Sequence, residues 1–106
     1  MAIDPHALSS DLKAGLAALY DRRLRGAYLY GSYARGDYDA ESDLDLLVVL
    51  DDFSSYGAEV DRTAELGSAL SLRHGVSISQ VFVRERDWLT ADSPFLRNVR
   101  EEATAA

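Results

Sequence analysis

The sequence predicts an α/β (α+β) fold in which a small mixed sheet of three or more strands is flanked by helices. Helical apolar periodicity over residues 5–24, 55–73 and from 93 onward alternates with short β-suited runs at 27–30, 44–50 and 76–83. The middle run, L-D-L-L-V-V-L, is apolar around Asp45, the pattern of a strand covered on both faces. No repeat, low-complexity segment or linker interrupts this order, so residues 1–106 read as a single domain.

Taken in order, Leu8, Leu12, Leu16 and Leu19 form the inner stripe of a first helix, with Lys13, Asp21, Arg22 and Arg23 off it. Asp4-Pro5 is a natural start, Ser9 or Ser10 a later one, and Gly26 a stop. Ala27–Tyr30 is a short aromatic strand ended by Gly31. Ser32 suits the N-cap of a helical turn, and Gly36 lets the chain reverse. After the strand at 44–50, Asp51-Asp52 ends it and a second helix follows, with Val60, Ala64, Leu66 and Leu70 inward. Gly67 in its middle implies close packing, since glycine there costs about 1 kcal/mol against alanine. Gly75 closes this helix. Val76–Val83 is a third strand, and residues 84–91 a short helix or turn carrying Trp88 and Leu89. Ser93-Pro94 starts a final helix with Phe95, Leu96 and Val99 inward and Glu101 and Glu102 outward. The tail A-T-A-A carries no signal.

Composition limits the function classes. The net charge is -7, which argues against non-specific nucleic-acid binding. It does not exclude a nucleotide, because a local metal site overrides the global sign. The absence of cysteine removes disulfides and thiolate–zinc sites and fits a reducing compartment. The first ten residues lack a secretory pattern, and no apolar run approaches the roughly 20 residues of a membrane helix. The expectation is a soluble, cytoplasmic protein without a membrane partner.

The chemistry gathers in Tyr28–Leu50. Gly31-Ser32 is followed by ten residues and then by Asp43-Leu44-Asp45. Residues two apart in a strand point the same way, so Asp43 and Asp45 project together. Carboxylates side by side repel, and hard oxygen ligands at that spacing suit Mg²⁺ with substrate phosphates completing the shell. Gly31 lets backbone amides approach a phosphate, the Ser32 hydroxyl can donate to it, and Arg35 offers a planar cation. A Gly-Ser pair or an Asp-x-Asp alone is a weak signal. Together, with A-R-G between them and strands on both sides, they are a strong one.

G-S-Y-A-R-G-D-Y-D-A-E-S-D-L-D-L resembles the Gly-Ser-x10-Asp-x-Asp signature of the DNA polymerase β-like nucleotidyltransferase superfamily, and in detail its minimal nucleotidyltransferase (MNT) domains. The order of elements matches over most of the chain. The resemblance implies the nucleotidyltransferase fold, with Gly31, Ser32 and Arg35 binding the triphosphate of an NTP, ATP first. It implies Asp43 and Asp45 as catalytic metal ligands for Mg²⁺ or Mn²⁺. It also implies AMP-type transfer to a hydroxyl, and a HEPN-domain partner of the toxin–antitoxin kind that is modified or neutralised by contact. A homo-oligomer stays open. The family's third acid, expected near the start of the third strand, is absent: Ser77 or Ser79 stands there, and serine is neither an anionic ligand nor a competent base near neutral pH.

Plainer readings accompany each residue. Arg35 can pair with Asp37 or Asp39, and Asp37, Asp39 and Glu41 read as solvated loop acids. Any one of these three acids, or less readily Glu85, could replace the missing acid. His6 and His74 read as surface residues. Trp88, Phe82 and Phe95 read as core, leaving Tyr33 and Tyr38 as the aromatics nearest a nucleotide.

Overall fold

The computed structural model describes residues 4–106; residues 1–3, the head of the segment expected to lack a leader pattern, lie outside them. Helix α1 spans Pro5–Tyr20 and is capped as expected, the Asp4 carboxylate accepting from the His6 and Ala7 N–H groups. Its buried stripe is Leu8, Leu12, Leu16 and Tyr20. The expected Leu19 lies 41% exposed, because an unbroken four-residue spacing carries the face onto Tyr20. The helix also ends earlier than its pattern suggested. Asp21 adopts φ 50°, a 3-10 turn covers Asp21–Arg23, and strand β1 begins at Leu24 and runs to Tyr30. Gly26 therefore lies within a strand, at a ladder irregularity, rather than closing a helix.

Gly31 precedes the short helix α2, Ser32–Arg35, whose C-cap Gly36 has φ 83°. Ser32 is the first helical residue; the N-cap is Gly31, which has no side chain to cap with. Strand β2 is Leu44–Leu50, with Leu46 through Leu50 all buried. Helix α3, Tyr56–His74, is capped by Ser55 and closed by Gly75 at φ 67°. It turns Glu59, Thr63 and Leu70 inward with Leu66 half-buried, while Val60 and Ala64 face out. The polar pair displaces the expected apolar one because Glu59 and Thr63 find partners inside. The Tyr20 hydroxyl donates to Glu59 (2.8 Å), and the Thr63 hydroxyl donates to the Glu59 carbonyl (3.0 Å). Gly67 packs as expected, since a Cβ there would come within 2.9 Å of the Gln80 amide nitrogen.

Strand β3 is Ile78–Arg84, shorter than the predicted 76–83 at its start, and Val76 is buried ahead of it. Two short helices follow: α4 at Glu85–Thr90 and α5 at Pro94–Glu102. Leu96 and Val99 are buried as expected, but Phe95 is 43% exposed and forms a T-shaped pair with Tyr30, and Leu89 faces solvent. The A-T-A-A tail, read as featureless, adds strand β4, Thr104–Ala105.

The sheet order is β3-β2-β1-β4, with β1 antiparallel to β2 and β4, and β2 parallel to β3. α1 and α3 pack with Leu44, Leu46, Val48 and Leu50 on one face. α4 and α5 cover Leu47, Val49 and Val83 on the other. β2 is thus sandwiched, which is what its apolar run required. No described helix is long and apolar enough to cross a membrane.

Candidate functional site

The antiparallel pairing sets Tyr30, the last residue of β1, opposite Asp45 near the start of β2. Gly31 consequently turns the chain directly beside the Asp45 side chain. It does so at φ 72° and ψ -151°, a conformation effectively reserved for glycine, and a Cβ there would collide with Asp45 Oδ2. Strand alternation puts Asp43 on the same side as Asp45. The loop between the strands organises itself: Asp39 accepts from the Glu41 N–H and Ser42 accepts from the Asp39 N–H, both at 2.9 Å. Asp37, Asp39 and Glu41 are solvent-facing loop residues, as expected.

Gly31, Ser32, Arg35, Asp43 and Asp45 line one open cleft of about 490 Å³, whose wall also includes Phe95, Asn98 and Glu102 of α5. All five residues singled out from sequence therefore converge. Burial, with repulsion from Asp43 and Glu102, raises the pKa of the Asp45 carboxyl above the ordinary 3.8, and Arg35 opposes this. That surplus of negative charge is what a cation would relieve. Among the described residues, no three His, Cys, Asp or Glu side chains converge closely enough to enclose a metal by themselves. Two carboxylates with room for substrate oxygens nonetheless match the habit of Mg²⁺, so the donor set fits that ion.

The third strand resolves the choice between its serines. Ser79 is the register partner of Asp45 in the parallel ladder, so their side chains emerge on the same face, that of α4 and α5. Ser77 precedes the strand and gives its carbonyl to the Leu44 N–H.

Glu102 is the site residue that reading the sequence placed wrongly. One carboxylate oxygen accepts the Gly31 N–H at 2.8 Å and the other faces the Arg35 guanidinium at 3.3 Å. Arg35 also pairs with Asp37 at 3.2 Å, as expected. A signal existed: Phe95, Val99 and Glu102 are spaced four and three apart, which is one helix face. The aromatics also differ from expectation. Tyr33 is buried in the core with Tyr38 stacked on it at 4.2 Å, and Trp88 is a half-buried partner of Tyr28. His74 is not a plain surface residue, since its ring sits 2.8 Å from Asp11 and is largely covered.

Comparison with known proteins identifies relatives of the chain and of its fold. The family model described as a nucleotidyltransferase domain matches residues 11–105. A Methanocaldococcus jannaschii protein named "putative protein adenylyltransferase" is 37% identical over 93 residues, 82% of each chain. Two solved complexes share the fold at lower identity. One, a toxin–antitoxin with AMP-PNP, superposes with a TM-score of 0.66 at 22% identity, covering 92% of this chain and 70% of that one. The other, a tri-AMPylated Shewanella oneidensis HEPN toxin with its MNT antitoxin, gives 0.59 at 19%, covering 94% and 69%.

Proposed function

This chain belongs to the nucleotidyltransferase domain family, and from that premise we propose that it moves a nucleoside monophosphate from ATP to a hydroxyl of a partner protein. The observation that carries the proposal is the close approach of Gly31 to Asp45, which sets the Gly31-Ser32 turn beside two carboxylates in one cleft. In this reading the Gly31 backbone and Ser32 hydroxyl seat the phosphates, Arg35 balances their charge, and Asp43 and Asp45 hold Mg²⁺ or Mn²⁺. A divalent ion so held supplies charge neutralisation at the transferring phosphoryl group. The chain's own residues do the positioning, which is most of what phosphoryl-type transfer asks of a protein. The acceptor oxygen bonds to the α-phosphorus, the bond to the bridging oxygen breaks, pyrophosphate departs, and the hydroxyl proton passes to water.

The cleft is open to solvent, and in this reading the acceptor hydroxyl is brought to it by another molecule. A partner protein fills that need. The Shewanella pair, in which an MNT antitoxin accompanies an AMPylated HEPN toxin, supports a HEPN-domain protein in this role. The test is incubation with α-labelled ATP, Mg²⁺ and such a partner. Label should appear on the partner and vanish with the Asp43→Ala, Asp45→Ala double variant; equal labelling by the variant would sink the catalytic reading.

A second reading rests on the third strand, where Ser79, a serine and not an acid, is the register partner of Asp45. The protein would then neutralise its partner by contact alone. Rescue from a HEPN toxin by the double aspartate variant would favour contact over chemistry.

A further inference from the structure

The Gly31 N–H is not free to meet a phosphate: the Glu102 carboxylate holds it at 2.8 Å, and the second carboxylate oxygen faces Arg35 at 3.3 Å. These are two of the groups assigned above to the nucleotide's phosphates, here taken by an anion from the same chain. A carboxylate offers two negative oxygens from one centre, as the edge of a phosphate does, and charge-assisted bonds of this kind are the strong ones. One N–H cannot serve both anions well. The backbone bearing Glu102 is held in place, since the Ala103 N–H bonds back to Val99 and the next two residues pair with β1. Its side chain, in contrast, keeps 29% of its surface exposed and has a way out toward solvent.

We propose that Glu102 is a built-in surrogate for phosphate, which occupies the Gly31–Arg35 seat and is displaced by rotation of its side chain when a polyphosphate arrives. Glu102 thereby sets the affinity of the site. Its charge adds to the repulsion that Asp43 and Asp45 already exert on an incoming anion. The inference rests on the phosphate assignment of the preceding section, and its test separates the two.

Calorimetric titration of the full chain with ATP and Mg²⁺ compares wild type with Glu102→Ala, Glu102→Gln and, as a control for net charge, Glu101→Gln. Glu102→Ala should bind about tenfold tighter, the worth of one charge-assisted bond no longer in competition. Glu102→Gln should lie between, because its oxygen still reaches Gly31 without the charge. Glu101 is exposed, and its variant should match wild type. In the ATP-free protein, amide hydrogen exchange at Gly31 should be protected in wild type and faster in Glu102→Ala. If wild type binds and both Glu102 variants bind equally or more weakly, the surrogate role is overturned while the nucleotide reading stands. If no variant and no wild type binds ATP, the phosphate assignment falls and takes this inference with it. Equal tightening by Glu101→Gln would reduce the effect to bulk charge and overturn the proposal as well.

Discussion

Replacing Gly31 by alanine tests the geometry on which the site depends. The backbone at φ 72°, ψ -151° lies in a region open essentially to glycine alone, and holding another residue there costs about 1–3 kcal/mol. The new Cβ must also displace Asp45 Oδ2, an overpacking term of about 1–3 kcal/mol. Gly31→Ala should therefore destabilise by roughly 2–6 kcal/mol, summing those two ranges. Gly36→Ala is the matched control. Gly36 also has positive φ, at 83°, but a Cβ there meets nothing within 4 Å. Its cost should stay near the left-handed penalty of ~1–2 kcal/mol. Urea unfolding followed by the fluorescence of Trp88, the sole tryptophan, measures both. Adding Asp45→Ala should recover part of the Gly31→Ala loss, with a coupling of about 1–2 kcal/mol. Equal losses at the two glycines, or additive effects of Gly31→Ala and Asp45→Ala, would refute the argument that Asp45 crowds the turn.

The remaining predictions concern charge and partners. Asp45 has a folded-state pKa above the ordinary 3.8, so its ionised form costs stability once the pH exceeds that raised value, and the cost fades as pH falls toward 3.8. Asp45→Asn should accordingly be more stable than wild type at neutral pH without metal, with the gap closing in acid; a gap that widens in acid has the wrong sign. Tyr20→Phe removes the hydroxyl that donates to buried Glu59 and should cost about 2 kcal/mol, read from chemical unfolding. A cost below about 0.5 kcal/mol would mean that Arg62 and Arg23 satisfy Glu59 without it. Ser79→Asp sets a third carboxylate beside Asp45, so it should lower Tm without metal and enlarge the Tm gain on adding Mg²⁺. An unchanged Mg²⁺ response would show that the two positions do not share a ligand sphere.

Much of the fold was legible because its signals are local. Asp4-Pro5, Gly75 and Ser93-Pro94 marked helix ends through capping chemistry that needs no knowledge of the rest of the chain. The sandwiched strand announced itself by composition. What failed depended on distant partners. Glu59 is inward because the Tyr20 hydroxyl of another helix satisfies it, which no single-helix pattern reports. β4 exists only because the Tyr28–Leu29 edge of β1 is there to receive Thr104 and Ala105. In the cleft, the motif residues were legible as a group because one turn and one strand bring them together. Glu102 comes from a helix more than fifty residues later in the chain, and its acidic type suggested solvent before its spacing suggested the site.

The strand order also bears on how the molecule comes into being. Tyr30 and Asp45 are brought together by an antiparallel pair whose closure spans only the loop between them, whereas Asp45 meets Ser79 only after the whole of α3 has been threaded across the sheet. Short closures cost less chain entropy and are favoured early. The Gly31–Asp45 junction should thus belong to the folding nucleus, with φ-values near those of the β1–β2 core, and the Ser79 and Glu102 sides should follow. A substitution at Gly31 would then slow folding, while one at Glu102 would mainly speed unfolding.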